Sequence, residues 1–200
     1  MKRIGITGPT GAGKTTALQV LEQLGAHIID ADAVYHRLLA ESGELRAALV
    51  RRFGPSILDA GGQVDRKALG SAVFGDPAAL EDLNAITHRF VLADIRTQME
   101  EARQQGRPAV AVDAIALVES GLGAECDAVV AVLAPLETRI RRIMAREGIS
   151  EDYARRRALA QKGDDFFRAH CDHVLENGPE ESREEFAQRA LDWFRAFLAE

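Results

Sequence analysis

The chain has 200 residues, 46% of them apolar, which suffices for one well-buried domain with a small inserted lobe and is too short for two ordinary domains. A formal charge of −6 argues against nucleic acid or an anionic membrane as the main partner, since both reward excess Lys and Arg. No run approaches the roughly 18 apolar residues of a spanning helix, and Cys126 and Cys171 form neither a CxxC pair nor a disulfide framework, so a soluble cytoplasmic protein is expected.

Residues 3–7 (Arg-Ile-Gly-Ile-Thr) are short, partly β-branched and followed by a glycine-rich turn, as a buried first strand should be. Gly5 and Gly8 break the apolar run behind Met1-Lys2-Arg3, against a signal peptide. From Gly13 the period becomes helical, with Leu18, Leu21 and Leu24 on one face and Gly25 as the stop. His27-Ile28-Ile29-Asp30 predicts a second strand. In a simple βαβ repeat the next strand follows after about 10–15 helical residues, yet none appears before residue 109. The span 33–106 therefore reads as a helical insertion, with Leu38, Leu39, Leu45, Leu49 and Phe53 ahead of Gly54-Pro55 and a long amphipathic stretch over 80–101. Residues 109–113 and 128–133 are nearly continuous apolar runs, the pattern of strands covered on both faces. Helices are predicted over 136–147 and 150–162, with Ser150 available as a cap. Residues 172–175 read as a fifth strand, and a closing helix ends near Leu198. The fold class is α/β: a five-stranded parallel sheet flanked by helices, with core residues about 1–32 and 107–200 and the insertion after the second strand.

Gly8-Pro9-Thr10-Gly11-Ala12-Gly13-Lys14-Thr15 fits G-x-x-x-x-G-K-[ST] and lies between a predicted strand and helix, as its mechanism requires. Its glycines let backbone N–H groups converge on phosphates while the helix presents its positive end. Gly11, Ala12 and Gly13 would line an ATP site, Lys14 would reach the β- and γ-phosphates, Thr15 would ligate Mg2+, and Thr16 is placed for a further phosphate contact. The fold is thus expected to be that of a P-loop NTPase. There is no N-K-x-D, and Asp113 is followed by Ala-Ile-Ala, which excludes the usual GTPase signatures and favours a small-molecule kinase.

Asp30-Ala31-Asp32 stands at the C-terminal edge of the second strand, where open α/β sheets bind ligands. Extended geometry puts residues two apart on one face. Asp32 could accept the proton of an attacking hydroxyl or cap the following helix; spacing alone leaves both open. Lysine occurs only at Lys2, Lys14, Lys67 and Lys162, so other anion contacts fall to arginine. Arg139, Arg142 and Arg146 share one helical face that could close over phosphates as a lid, or pair as a solvated face with Glu137 or Glu147. In His170-Cys171-Asp172-His173 successive strand residues point apart, so one ion could not readily collect them. Trp193, Phe194 and Phe197 at helical spacing predict core packing.

Taken in order, these residues resemble the dephospho-CoA kinase family over nearly the whole chain. The likeness runs through Ile6-Thr7-Gly8 and the phosphate loop, Leu24-Gly25 and Ile29-Asp30-Ala31-Asp32-Ala33, then Phe53-Gly54, Val64-Asp65-Arg66 and Leu83-Asn84-Ala85-Ile86-Thr87-His88. It continues through Leu117-Val118-Glu119-Ser120-Gly121-Leu122, Cys126-Asp127, Ala134-Pro135-Leu136-Glu137-Thr138-Arg139, Arg157, Gln161 and Asn177. The chain departs from the family pattern at Arg89 and at Ile115-Ala116. The resemblance implies ATP-dependent phosphorylation of the ribose 3′-hydroxyl of dephospho-CoA, with Asp32 and Lys14 catalytic. It also implies acceptor binding by Asp32, Arg66 and His88 on the insertion, Arg142 and Arg146 on ATP from a lid over about 139–165, and Mg2+ with ATP. A monomer or small homo-oligomer without nucleic-acid or membrane partners is expected. Two other readings stand beside it: a P-loop kinase for another nucleoside-like acceptor, and a nucleotide-binding regulator without turnover.

Overall fold

A computed structural model of the chain describes residues 1–199. Its five strands are β1 (Lys2–Thr7), β2 (His27–Asp30), β3 (Ala109–Asp113), β4 (Ala128–Leu133) and β5 (His173–Glu176). They form one sheet in the order β2-β3-β1-β4-β5. β1 lies parallel to β3, with Ile6 opposite Asp113, and parallel to β4, with Thr7 opposite Ala131; β4 continues in parallel to β5. The apolar run of β4 follows from this position. Val130 and Val132 join the core with Ile4, Ile6, Leu21, Phe186 and Phe194, whereas Ala131 and Leu133 pack with Phe167. Alternate residues serve opposite faces, so a strand covered on both sides has no polar face to show.

One compact unit comprises Met1–Ile29 and the chain from Glu101 onward; the other is Asp30–Glu100. In the first, α1 (Lys14–Gln23) follows the phosphate loop, and α9 (Arg183–Ala199) packs on it. α6 (Leu136–Glu147) and α7 (Glu151–Leu159) share a small core of Ile140, Ile143, Ala154 and Ala158. Ser150 caps α7 by accepting from the Tyr153 amide. α7 stops at Leu159 instead of running to Lys162, and a short helix, α8 (Asp164–His170), follows from Gly163. The sequence reading placed no element there, because seven residues show barely two helical turns of periodicity.

In the second unit, α2 (Ala31–Glu41), α3 (Gly43–Phe53), α4 (Arg66–Val73) and most of α5 (Pro77–Gln104) surround Leu39, Leu45, Leu49, Ile57 and Leu69. Short polar side chains set the starts: Asp30 accepts from Ala33, Ser42 from Leu45, and Asp65 from both Lys67 and Ala68. Each such cap is worth about 1 kcal/mol. Because α2 begins at Ala31, Asp30 and not Asp32 is its cap, and the expectation that the two carboxylates share one face of an extended strand does not hold. No helix among the described residues is long and apolar enough to cross a membrane.

Candidate active site

The phosphate loop leaves β1 through Gly8, whose φ of 129° lies outside the range of L side chains and whose missing Cβ admits the Val132 carbonyl. At the other end Gly13, φ 110°, lies so close to the Asn177 side-chain amide that a methyl group there would collide with it. The Ala12 amide donates to Pro9 (3.2 Å) and Thr16 to Gly13 (3.0 Å), which closes the turn. Gly13 offers no side-chain cap to α1, and no acidic residue occupies its first turn. The amides that an α-helix leaves unsatisfied at its start therefore meet no acidic side chain of the helix's own first turn. Backbone donors, a positive helix end and Lys14 gather here in an arrangement suited to an anion. Lys14 Nζ donates to the Gly8 carbonyl at 2.8 Å, which keeps the ammonium at the loop.

Four side chains brace the loop from behind. Asn177, buried beyond the end of β5, donates to the Ala12 carbonyl at 2.8 Å and accepts from Arg142 at 3.0 Å. Arg142 also donates to the carbonyls of Gly11 (3.3 Å) and Ala12 (3.2 Å). Arg139, only 4% exposed, donates to the carbonyls of Thr10 and Ala158. Gln161 bonds both Thr10 and Arg139. Burial pulls both guanidinium groups down from the usual arginine value, most directly because charge is costly away from water, and for Arg142 the neighbouring Arg141 adds to it. The α6 arginines thus share a helix without sharing a role. Arg139 and Arg142 satisfy loop carbonyls, whereas Arg146 is exposed and paired with Glu147 at 2.6 Å. Nor are the α7 arginines open: Arg155 bonds Glu137 and Glu151, Arg156 bonds Asp152 and Arg157 bonds Glu147.

Thr15 and Asp113 bear on a metal. Thr15 is exposed in the first turn of α1, and Asp113 ends β3 in register with Ile6. A hydroxyl and a carboxylate are hard oxygen donors of the kind Mg2+ takes. Among the described residues no three His, Cys, Asp or Glu side chains form a cage, so such an ion would depend on nucleotide phosphates and water for most of its shell. The sequence reading used Asp113 only to exclude GTPases; its place beside β1 emerges from strand order, which local pattern does not carry. A cavity of about 330 Å³ opens beside Pro9, lined by Ile115, Ala116, Glu119, Gln161, Lys162 and Phe167 among others. Two of the positions where the chain departs from the resembled pattern, Ile115 and Ala116, lie in its wall.

In the helical unit, Asp32 is exposed in the first turn of α2. Arg66 is exposed at the start of α4 and lines a cavity of about 170 Å³ with His36, Gln63 and Val64. His36 lines the same cavity, and α2 brings it there from thirty positions upstream. His88 is half-buried within α5 and is not among the residues lining that cavity.

A family model described as dephospho-CoA kinase matches residues 2–182. The dephospho-CoA kinase of Symbiobacterium thermophilum is 40% identical over 177 residues, covering 88% of this chain and 74% of that one. A solved structure from Thermus thermophilus superposes with a TM-score of 0.79 at 36% identity, covering 98% of this chain and 97% of the other. The dephospho-CoA kinase of Campylobacter jejuni does so with a TM-score of 0.71 at 25% identity, over 98% and 97%.

Proposed function

The chain belongs to the dephospho-CoA kinase family, and on that premise we propose that it transfers the γ-phosphoryl group of ATP to the ribose 3′-hydroxyl of dephospho-CoA, yielding coenzyme A and ADP. The observation that carries the reading is the braced phosphate loop, whose carbonyls Asn177 and Arg142 hold while Lys14 is kept beside it by the Gly8 carbonyl. Phosphoryl transfer asks a protein mainly for positioning and for stabilisation of charge on the moving group. The amides of Gly11 and Gly13, with Thr16, hold the donor phosphates, and Lys14 stabilises the charge that develops on the β- and γ-oxygens. Thr15, with Asp113 as a further oxygen donor, would hold the Mg2+ that arrives with ATP, and that ion would supply neutralisation of phosphate charge.

On the acceptor side Asp32 takes the proton of the 3′-hydroxyl as that oxygen attacks. Its carboxylate is exposed in the first turn of α2, open to an incoming hydroxyl. Arg66, with His36 beside it, supplies positive charge for the acceptor's diphosphate, and His88 is assigned to the acceptor by its place in the family pattern. Arg146 reaches the transferring group by exchanging Glu147 for phosphate, a swap that an exposed pair makes cheaply.

ADP release should be measured with dephospho-CoA and with a panel of nucleosides, for the native chain and for Asp32→Asn. Turnover is expected with dephospho-CoA, falling about 10²- to 10⁴-fold in the variant. Faster turnover of another acceptor would sink the assignment of dephospho-CoA, and an undiminished Asp32→Asn would sink the role of that carboxylate.

A further inference from the structure

Thr10 stands at the outer bend of the phosphate loop, and its polar groups are committed to one distant side chain. The Thr10 amide donates to Gln161 Oε1 at 2.9 Å, and Gln161 Nε2 donates to Thr10 Oγ1 at 3.1 Å. Arg139 completes the set, with a guanidinium nitrogen 3.3 Å from Gln161 Oε1 and Nε 3.1 Å from the Thr10 carbonyl. The orientation of the Gln161 amide is dictated by these partners. Two donors, the Thr10 amide and Arg139, face one end, so that end must be the oxygen. All three polar groups of Thr10 are thereby engaged.

This has a chemical consequence for the loop. The Thr10 amide points at Gln161, the Ala12 amide is used by Pro9, and Pro9 has no amide to give. An incoming phosphate is left to the remaining amides of the loop and the first turn of α1. Where those amides point depends on the pitch of the bend at Thr10. Gln161 follows α7, and Arg139 belongs to α6, so the α6–α7 pair is tied to the bend.

We infer that Gln161 is a positioning residue for phosphoryl transfer, which locks the bend of the phosphate loop through Thr10 and thereby sets the direction of its phosphate-binding amides. In this role it acts through Thr10. The inference rests on the proposed kinase reaction for its kinetic readout, but ATP binding tests it without any acceptor.

Gln161→Leu, Thr10→Val and the double variant should be compared for ATP affinity by calorimetry, for steady-state kinetics and for Tm. Gln161→Leu is expected to weaken ATP binding and lower kcat/KM for ATP about tenfold or more, with the acceptor KM within about twofold and Tm within about 3 °C. Thr10→Val should cost about threefold alone and nothing further in the Gln161→Leu background, because the hydroxyl acts only through the amide. Unchanged ATP affinity in Gln161→Leu, losses that multiply in the double variant, or an activity loss that merely follows a fall in Tm would overturn the inference. If Gln161→Leu does not fold, Thr10→Ser and Thr10→Val decide. Serine keeps the hydroxyl and should retain ATP affinity while valine binds ATP about threefold more weakly; equal affinities would overturn the role. A native chain that binds ATP but leaves dephospho-CoA unphosphorylated would sink the proposed function alone, since the binding comparison would stand.

Discussion

Arg142 and Arg146 are one helical turn apart on α6, yet they meet different demands. Arg142 is surrounded by the carbonyls of Gly11 and Ala12 and by the Asn177 amide, so its removal strands buried acceptors and loosens the loop. Arg146 lies in water, paired with Glu147, and has little to do until a charged phosphoryl group arrives. Arg142→Ala is therefore expected to lower both Tm and ATP affinity, whereas Arg146→Ala should leave Tm within about 2 °C and reduce kcat by about tenfold or more. Tm measured beside single-turnover rates separates them; identical profiles would contradict the division. Spacing along the sequence was enough to put the three arginines on one side of a helix. It could not say that the two nearer the loop would turn toward carbonyls, because the partners come from residues 10–12 and from Asn177, more than a hundred positions and thirty-five positions away. The same reason hid the contact of Gln161 with Thr10, 151 positions away, although Gln161 itself belongs to the resembled pattern. The loop glycines were legible because the motif states its backbone requirement directly.

Among the elements, the strands were the most legible. Runs such as Ala128–Leu133 are apolar throughout, and β2, β3 and β4 end where expected, whereas β1 begins one residue early at Lys2 and β5 is displaced by one residue to His173–Glu176. Helices were less so where short: α8 passed unnoticed, and α7 ended early at Leu159. Capping shifted α2 by placing Asp30 outside the helix and Asp32 within it. The entry to the sheet is held by Arg3 and Asp127. The Arg3 amide and guanidinium both reach the Asp127 carboxylate, at 2.8 and 2.6 Å, and the Asp127 amide returns to the Arg3 carbonyl at 2.7 Å. The Arg3 side chain, most of all, holds this carboxyl below the usual aspartate range. A depressed folded pKa stabilises above the unfolded value near 3.9, and that contribution is lost as pH falls through the lower folded value. Both side chains are about a third or more exposed, so the effect is small. Asp127→Asn should lower Tm by about 1–3 °C at pH 7, and the difference from the native chain should close below about pH 4. A difference that widened in acid would contradict the assignment.

At the scale of the molecule, strand order explains why the site lies where it does. β1 sits between β3 and β4, so the chain leaves β1 at the crevice where the connections diverge to opposite sides of the sheet. The phosphate loop after β1, the Asp113 carboxylate at the end of β3 and the cavity beside Pro9 all belong to that edge. The 71 residues from Asp30 to Glu100 form their own compact unit with its own core, which places Asp32, Arg66 and His36 on a body separate from the phosphate loop. The proposed donor site was thus readable from a contiguous motif, while the residues proposed for the acceptor are dispersed over helices and show little beyond single charges. The most direct test of the central claim is the identity of the product formed from ATP and dephospho-CoA, read by phosphorus NMR. A new phosphomonoester on the ribose 3′-oxygen, formed one-for-one with ADP, is the expected result; phosphate on any other hydroxyl, or ADP formed without the acceptor being modified, would contradict it.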